Sequence, residues 1–112
     1  MKIKKINTLA VAAFAIALTP GVQSASAQSF SCARAAIPSE LAICNDEDLL
    51  IMDEKVAALF AEKRVSATSG KEAIRLADDH GSWLRKRNIC ENNSDCLKAV
   101  YDKRIRTLDK NL

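Results

Sequence analysis

The chain predicts an all-α fold: a small disulfide-stapled helical bundle of one short helix and three longer ones. Three observations lead there. Apolar residues recur at helical spacing in three separate stretches, and no stretch shows sustained strand alternation. Four cysteines sit in a short chain whose N-terminus has the pattern of an export signal.

That pattern has the usual parts. Lys2, Lys4 and Lys5 make a basic start, Leu9 to Leu18 is an uninterrupted apolar run, and Thr19-Pro20-Gly21 breaks it. Ala25-Ser26-Ala27 then supplies small residues for cleavage. The apolar run is far shorter than the roughly 20 residues needed to cross a bilayer, so residues 1–27 are expected to be a cleaved secretory signal and 28–112 one helical domain. Cys32 lies beyond the cleavage site instead of directly after the apolar run, which argues against lipid attachment. The expected product is periplasmic or secreted, with no stable membrane anchor.

Cleavage changes the meaning of the charge. The three leader lysines go, the basic count falls from 17 to 14, and it then equals the 14 acids. The basic balance of the precursor therefore says nothing about nucleic acid, and no nucleic-acid partner is expected. Along the chain the balance is uneven. Residues 28–62 hold Arg34 and Lys55 against Glu40, Asp46, Glu47, Asp48, Asp53, Glu54 and Glu62, a net −5 that the remainder offsets with +5.

From the N-terminus, residues 28–37 have no clear period and read as a loop carrying Cys32, with Phe30 as a lid on the core. Pro38 suits the first turn of a short helix ending at Cys44, because its missing N–H costs nothing there. Asn45 is the expected cap of a second helix, with Asp46, Glu47 and Asp48 in its positive first turn. Leu49, Met52, Val56, Leu59 and Phe60 repeat at helical spacing up to about Arg64. Residues 66–70, small and polar, make the turn of a hairpin.

The third helix, 71–89, carries two adjacent stripes. Ile74, Ala77, Gly81, Leu84 and Asn88 form one; Leu76, His80, Trp83 and Arg87 form the other. Gly81 costs a helix about 1 kcal/mol relative to Ala, which a close helix crossing would explain. Asn93 or Ser94 caps the last helix, with Leu97, Val100, Tyr101, Ile105 and Leu108 as its apolar face.

A mature chain of 85 residues, 112 less the leader, is near the size at which natural domains add covalent staples. Cys32, Cys44, Cys90 and Cys96 are expected to form two disulfides in an oxidising compartment. Four cysteines allow three connectivities, and the sequence does not choose between them. The expected pairing is the local one, Cys32 with Cys44 and Cys90 with Cys96, the latter bracketing the turn between the last two helices.

Enzymatic chemistry finds little support. His80 is the sole histidine, and helix-surface acids beside it do not make a metal-ligand signature. Paired cysteines leave no thiolate nucleophile. No catalytic residue, metal or cofactor is expected. Trp83 and Leu84 are assigned to the core, and Arg87, one turn after Trp83, is expected either to bridge to Asp53 or Glu40 and fix helix register or to lie solvated across Trp83. Arg85, Lys86, Lys103, Arg104 and Arg106 form a basic end that could face anionic envelope polymers or lipid headgroups.

Several stretches together resemble the lysozyme inhibitor LprI-like N-terminal domain family. They are Phe30-Ser31-Cys32-Ala33, Pro38-Ser39-Glu40-Leu41-Ala42-Ile43-Cys44, Leu49 through Asp53, Trp83 through Cys90, and Cys96-Leu97 with Tyr101 and Arg104. The resemblance spans nearly the whole mature chain. It departs from the family pattern at Ile37 (often a capping Thr), at Asn88 (often Asp) and at His80-Gly81 (often Gln-Arg). What it implies is an all-helical, disulfide-stapled exported binding protein that inhibits lysozyme by occluding its cleft. Since lysozymes are typically cationic, Glu40, Asp46, Glu47, Asp48 and Glu54 become the candidate partner contacts. The alternative expectation is an envelope stress or assembly factor, holdase-like, without lysozyme inhibition.

Overall fold

A computed structural model describes residues 29–110; the expected leader lies outside the described residues. The chain runs through a short 3-10 turn at Cys32–Arg34 and then four α-helices: α1 (Pro38–Cys44), α2 (Glu47–Ser66), α3 (Gly70–Ile89) and α4 (Ser94–Lys110). Among the described residues there is no strand, and the fold is the disulfide-stapled helical bundle of one short and three longer helices.

Each helix starts where local chemistry satisfies its free N–H groups. α1 is the exception: Ile37 stands at its N-cap and offers no side-chain acceptor, so Pro38 and Glu40 in the first turn carry the start. The cap of α2 is Asp46, one residue later than the expected Asn45. The Asp46 Oδ1 accepts from the amides of Asp48 (3.0 Å) and Leu49 (3.3 Å). Asn45 instead closes α1, donating its side-chain amide to the Leu41 carbonyl at 2.8 Å. Ser69 caps α3 through Glu72 N, and Asn93 Oδ1 accepts from Cys96 N at 2.9 Å at the start of α4.

The α2–α3 turn is only three residues, 67–69, so these helices run antiparallel, as do α3 and α4 across residues 90–93. α2 and α4 are therefore parallel, and they pack on each other more extensively than any other pair. Their registers agree: Ser94 meets Asp46 at one end, and Tyr101 meets Asp53 two turns further on. α1 lies across α2 and α3.

The core follows from the helical periods. Leu49, Val56 and Leu59 of α2, Trp83 of α3, and Leu97, Tyr101 and Leu108 of α4 are buried, joined by Ile43 of α1 and Cys90. Leu84 and Phe30 pack against this cluster while partly exposed. On α3 the two expected stripes part company. Trp83 and Arg87 of one are buried, whereas Ile74 of the other is 64% exposed. A Cβ placed on Gly81 would meet only Arg85 Nη1, at an ordinary 3.8 Å, so the glycine does not mark a close helix crossing.

The disulfides join Cys32 to Cys44 and Cys90 to Cys96, with Cα separations of 5.8 and 5.5 Å, within the usual range for the bond. The first ties the N-terminal turn to the end of α1. The second ties the end of α3 to the first turn of α4. Within that ring Glu91 takes a positive φ of 53°.

Candidate functional site

Four polar residues occupy core positions: Ser39, Asp53, Arg87 and Arg104. Their helical spacing explains this. Asp53 falls one turn after Leu49 on the inward face of α2, Arg87 one turn after Trp83, and Arg104 lies in the Leu97, Tyr101, Arg104, Leu108 row of α4. A buried polar group costs stability unless it is hydrogen-bonded, so their partners matter.

Asp53 is fully buried and gathers three donors. Its Oδ1 accepts from Ser29 Oγ (2.6 Å) and Tyr101 Oη (2.7 Å), and its Oδ2 from Ser29 N (2.9 Å). Burial, and next the Asp53 charge, push the Tyr101 hydroxyl well above its ordinary pKa, so it remains a donor.

Arg87, 3% exposed, donates from Nε (3.0 Å) and Nη2 (2.8 Å) to Asn88 Oδ1, which also accepts from Ser39 Oγ at 2.9 Å. Its ion pair is with Glu40, at 3.6 Å, and its guanidinium lies over Phe30, 5.4 Å from the ring centre. Of the two bridges considered from the sequence, the partner is thus Glu40, and the aromatic ring beneath Arg87 is Phe30, not Trp83.

Trp83 carries Arg104 instead, with the guanidinium 5.6 Å from its ring centre. Arg104 is 5% exposed, reaching Asp79 Oδ2 from Nη1 at 2.7 Å and His80 Nδ1 from Nη2 at 3.1 Å. It therefore leaves the expected solvent-facing basic end, because its place in the inward row of α4 aims it at α3. His80 stacks flat on Phe60 at 3.8 Å and tilts against Trp83 at 5.4 Å. Burial, then the Arg104 charge, lowers its pKa to about 4, so it is neutral at physiological pH and accepts at Nδ1.

The five candidate partner acids divide. Glu40 faces inward to Arg87 and accepts from Ala36 N. Asp46 is occupied as cap, accepts from Ser94 Oγ at 3.2 Å, and has Lys98 Nζ at 3.7 Å. The Leu49 amide chiefly, with Ser94 and Lys98, holds its carboxyl below the usual range. Asp48, 77% exposed, shares Lys98 at 3.8 Å. Glu47 and Glu54 are exposed and make no ion pair among the described residues. With Ile51, itself 57% exposed, they lie at i, i+4 and i+7 on one outer face of α2.

The residues missed from the sequence were the partners: Asp79, His80 and Arg104 as a group, Tyr101 and Ser29 around Asp53, and Asn88 beside Arg87. The Tyr101-to-Arg104 spacing on an apolar helix face was the available signal. No group of His, Cys, Asp and Glu among the described residues could hold a metal ion, and no described helix is long and apolar enough to cross a membrane.

Fold and site together define a disulfide-stapled all-α domain with a hydrogen-bonded polar core and an acidic outer helix face. No protein-family model, curated protein or solved structure matches the chain.

Proposed function

We propose that this domain is an exported binding protein that docks a cationic protein, in the first instance a lysozyme, on the outer face of α2 and inhibits it by occluding its cleft. The observation that carries this reading is the row Glu47, Ile51, Glu54, with Asp48 beside it: exposed carboxylates flanking an exposed aliphatic residue on a rigid helix. Charge on such a face speeds encounter with a cationic partner, and the aliphatic residue supplies apolar contact. Export is supported by the leader pattern and by two disulfides, which persist in oxidising compartments. The reading requires no turnover and no cofactor.

A cell-wall lysis assay with purified protein tests it. Inhibition at micromolar concentration, weakened by salt and by the double substitution Glu47→Lys, Glu54→Lys, is expected. Unchanged lysis would overturn the proposal.

The second reading, a holdase-like envelope factor, draws on Val65 (87% exposed) and Ile74 (64%) beside the α2–α3 turn. It predicts suppression of aggregation of an unfolded client, lost on Val65→Ser with Ile74→Ser.

A further inference from the structure

The outward side of α2 carries a second row, opposite the one that builds the core. Ile51, Glu54, Ala58, Ala61 and Val65 follow one another at alternating steps of three and four, and all five are exposed. That spacing lines a seam for another helix, and the small side chains of Ala58 and Ala61 let two helix axes come close. Lys55 and Glu62 flank the row on one side, seven residues and so two turns apart. Neither has a charged residue three or four positions away on α2, and neither makes an ion pair among the described residues. The two charges therefore do nothing for their own helix.

We propose that a second copy of this chain packs on this row, α2 against α2 in antiparallel orientation. With a two-fold axis level with residues 59–60, Ala58 lies against Ala61 of the second copy, and Lys55 comes level with its Glu62, twice by symmetry. In the same register Glu54, the one charge inside this row, falls beside Arg64 of the second copy near the end of its α2. A parallel pair would instead set Glu54 against Glu54 and place Lys55 beside uncharged residues. Charge complementarity thus selects both the partner and its direction. The contact is one helix face wide, so the dimer is weak, with a dissociation constant on the order of 100 µM. Ile51 and Glu54 also belong to the face assigned to a cationic partner, so the two associations exclude each other. Self-pairing does not rest on that reading.

Sedimentation equilibrium on the purified, disulfide-bonded protein, from micromolar to millimolar concentration and without lysozyme, tests this. A monomer–dimer equilibrium is expected. Lys55→Glu alone, or Glu62→Lys alone, sets like charges together at both symmetric positions and should weaken the dimer about tenfold; the two together should restore it. Ala58→Lys, which puts a long charged side chain in the middle of the seam, should abolish it. All of these positions are exposed, so each variant should keep the circular dichroism of the parent. The proposal is overturned if the parent stays monomeric at millimolar concentration, if it forms a trimer or larger assembly, if the single substitutions leave the dimer as strong as before, or if the double substitution fails to restore it.

Discussion

The Tyr101 hydroxyl donates to Asp53 Oδ1 at 2.7 Å with both side chains fully buried, joining the two parallel helices at mid-height. Ser29 adds two further donors to the same carboxylate, so the N-terminal segment, α2 and α4 meet at one residue. Tyr101→Phe should cost about 1–3 kcal/mol, because a buried acceptor loses a partner without gaining water. Ser29→Ala, at an exposed residue, should cost less. Urea denaturation of the two single variants and the double measures the coupling; a Tyr101→Phe protein as stable as the parent would remove Asp53 as the organising residue.

His80 makes stability depend on mild acid. Its folded pKa of about 4 lies below its ordinary 6.5, so the folded state favours the neutral ring. That contribution is complete above pH 6.5 and is lost as pH falls from 6.5 toward 4, where the unfolded chain takes up the proton first. The loss should amount to about 2 kcal/mol, allowing for the ring's partial exposure. Arg104 and Arg87 oppose protonation, while Asp79 and Asp53 favour it. Thermal melts across this range should slope for the parent and flatten for His80→Gln. Asp46, with its pKa lowered from 3.8, acts only in stronger acid.

Gly81 is open to improvement. A methyl group there meets only a flexible Arg85 side chain at 3.8 Å, so Gly81→Ala should stabilise the domain by about 0.5–1 kcal/mol. A lower melting temperature for the variant would mean that α3 needs the glycine for some other reason.

The disulfides should differ in consequence more than in energy. Loop closure assigns about 2–3 kcal/mol to each, for sequence separations of 12 and 6. Breaking Cys32–Cys44 frees the segment that carries Ser29 to Asp53 and Phe30 to Arg87. Breaking Cys90–Cys96 frees the α3–α4 turn. Hydrogen exchange on Cys→Ser pairs should therefore quicken at mid-height in the first case and around residues 90–97 in the second.

The helices were legible because their apolar residues repeat at the right interval and their starts carry Pro38, Asp46, Ser69 and Asn93. Asn45 was misread as a cap because Asn and Asp stand adjacent and have similar preferences; the backbone of Asp46, extended at φ −132°, settles which one turns the chain. Asp53, Arg87 and Arg104 were harder. Their positions follow from periodicity, but a charged residue in an apolar row reads equally as an edge residue until its partner is located. Apart from Asn88, which is adjacent to Arg87, those partners lie far away in sequence, Asp79 by 25 positions from Arg104 and Tyr101 by 48 from Asp53. His80 and Asn88 lie against these buried groups.

The pairing of α2 with α4 has a consequence for how the chain acquires its structure. The apolar row of α2 has its main partner in Leu97, Tyr101 and Leu108, which are synthesised nearly fifty residues later, while the intervening α3 packs less closely on α2. Until that last helix emerges, α2 lacks most of its apolar partners, and pairing across so long a stretch of chain is expected to slow folding.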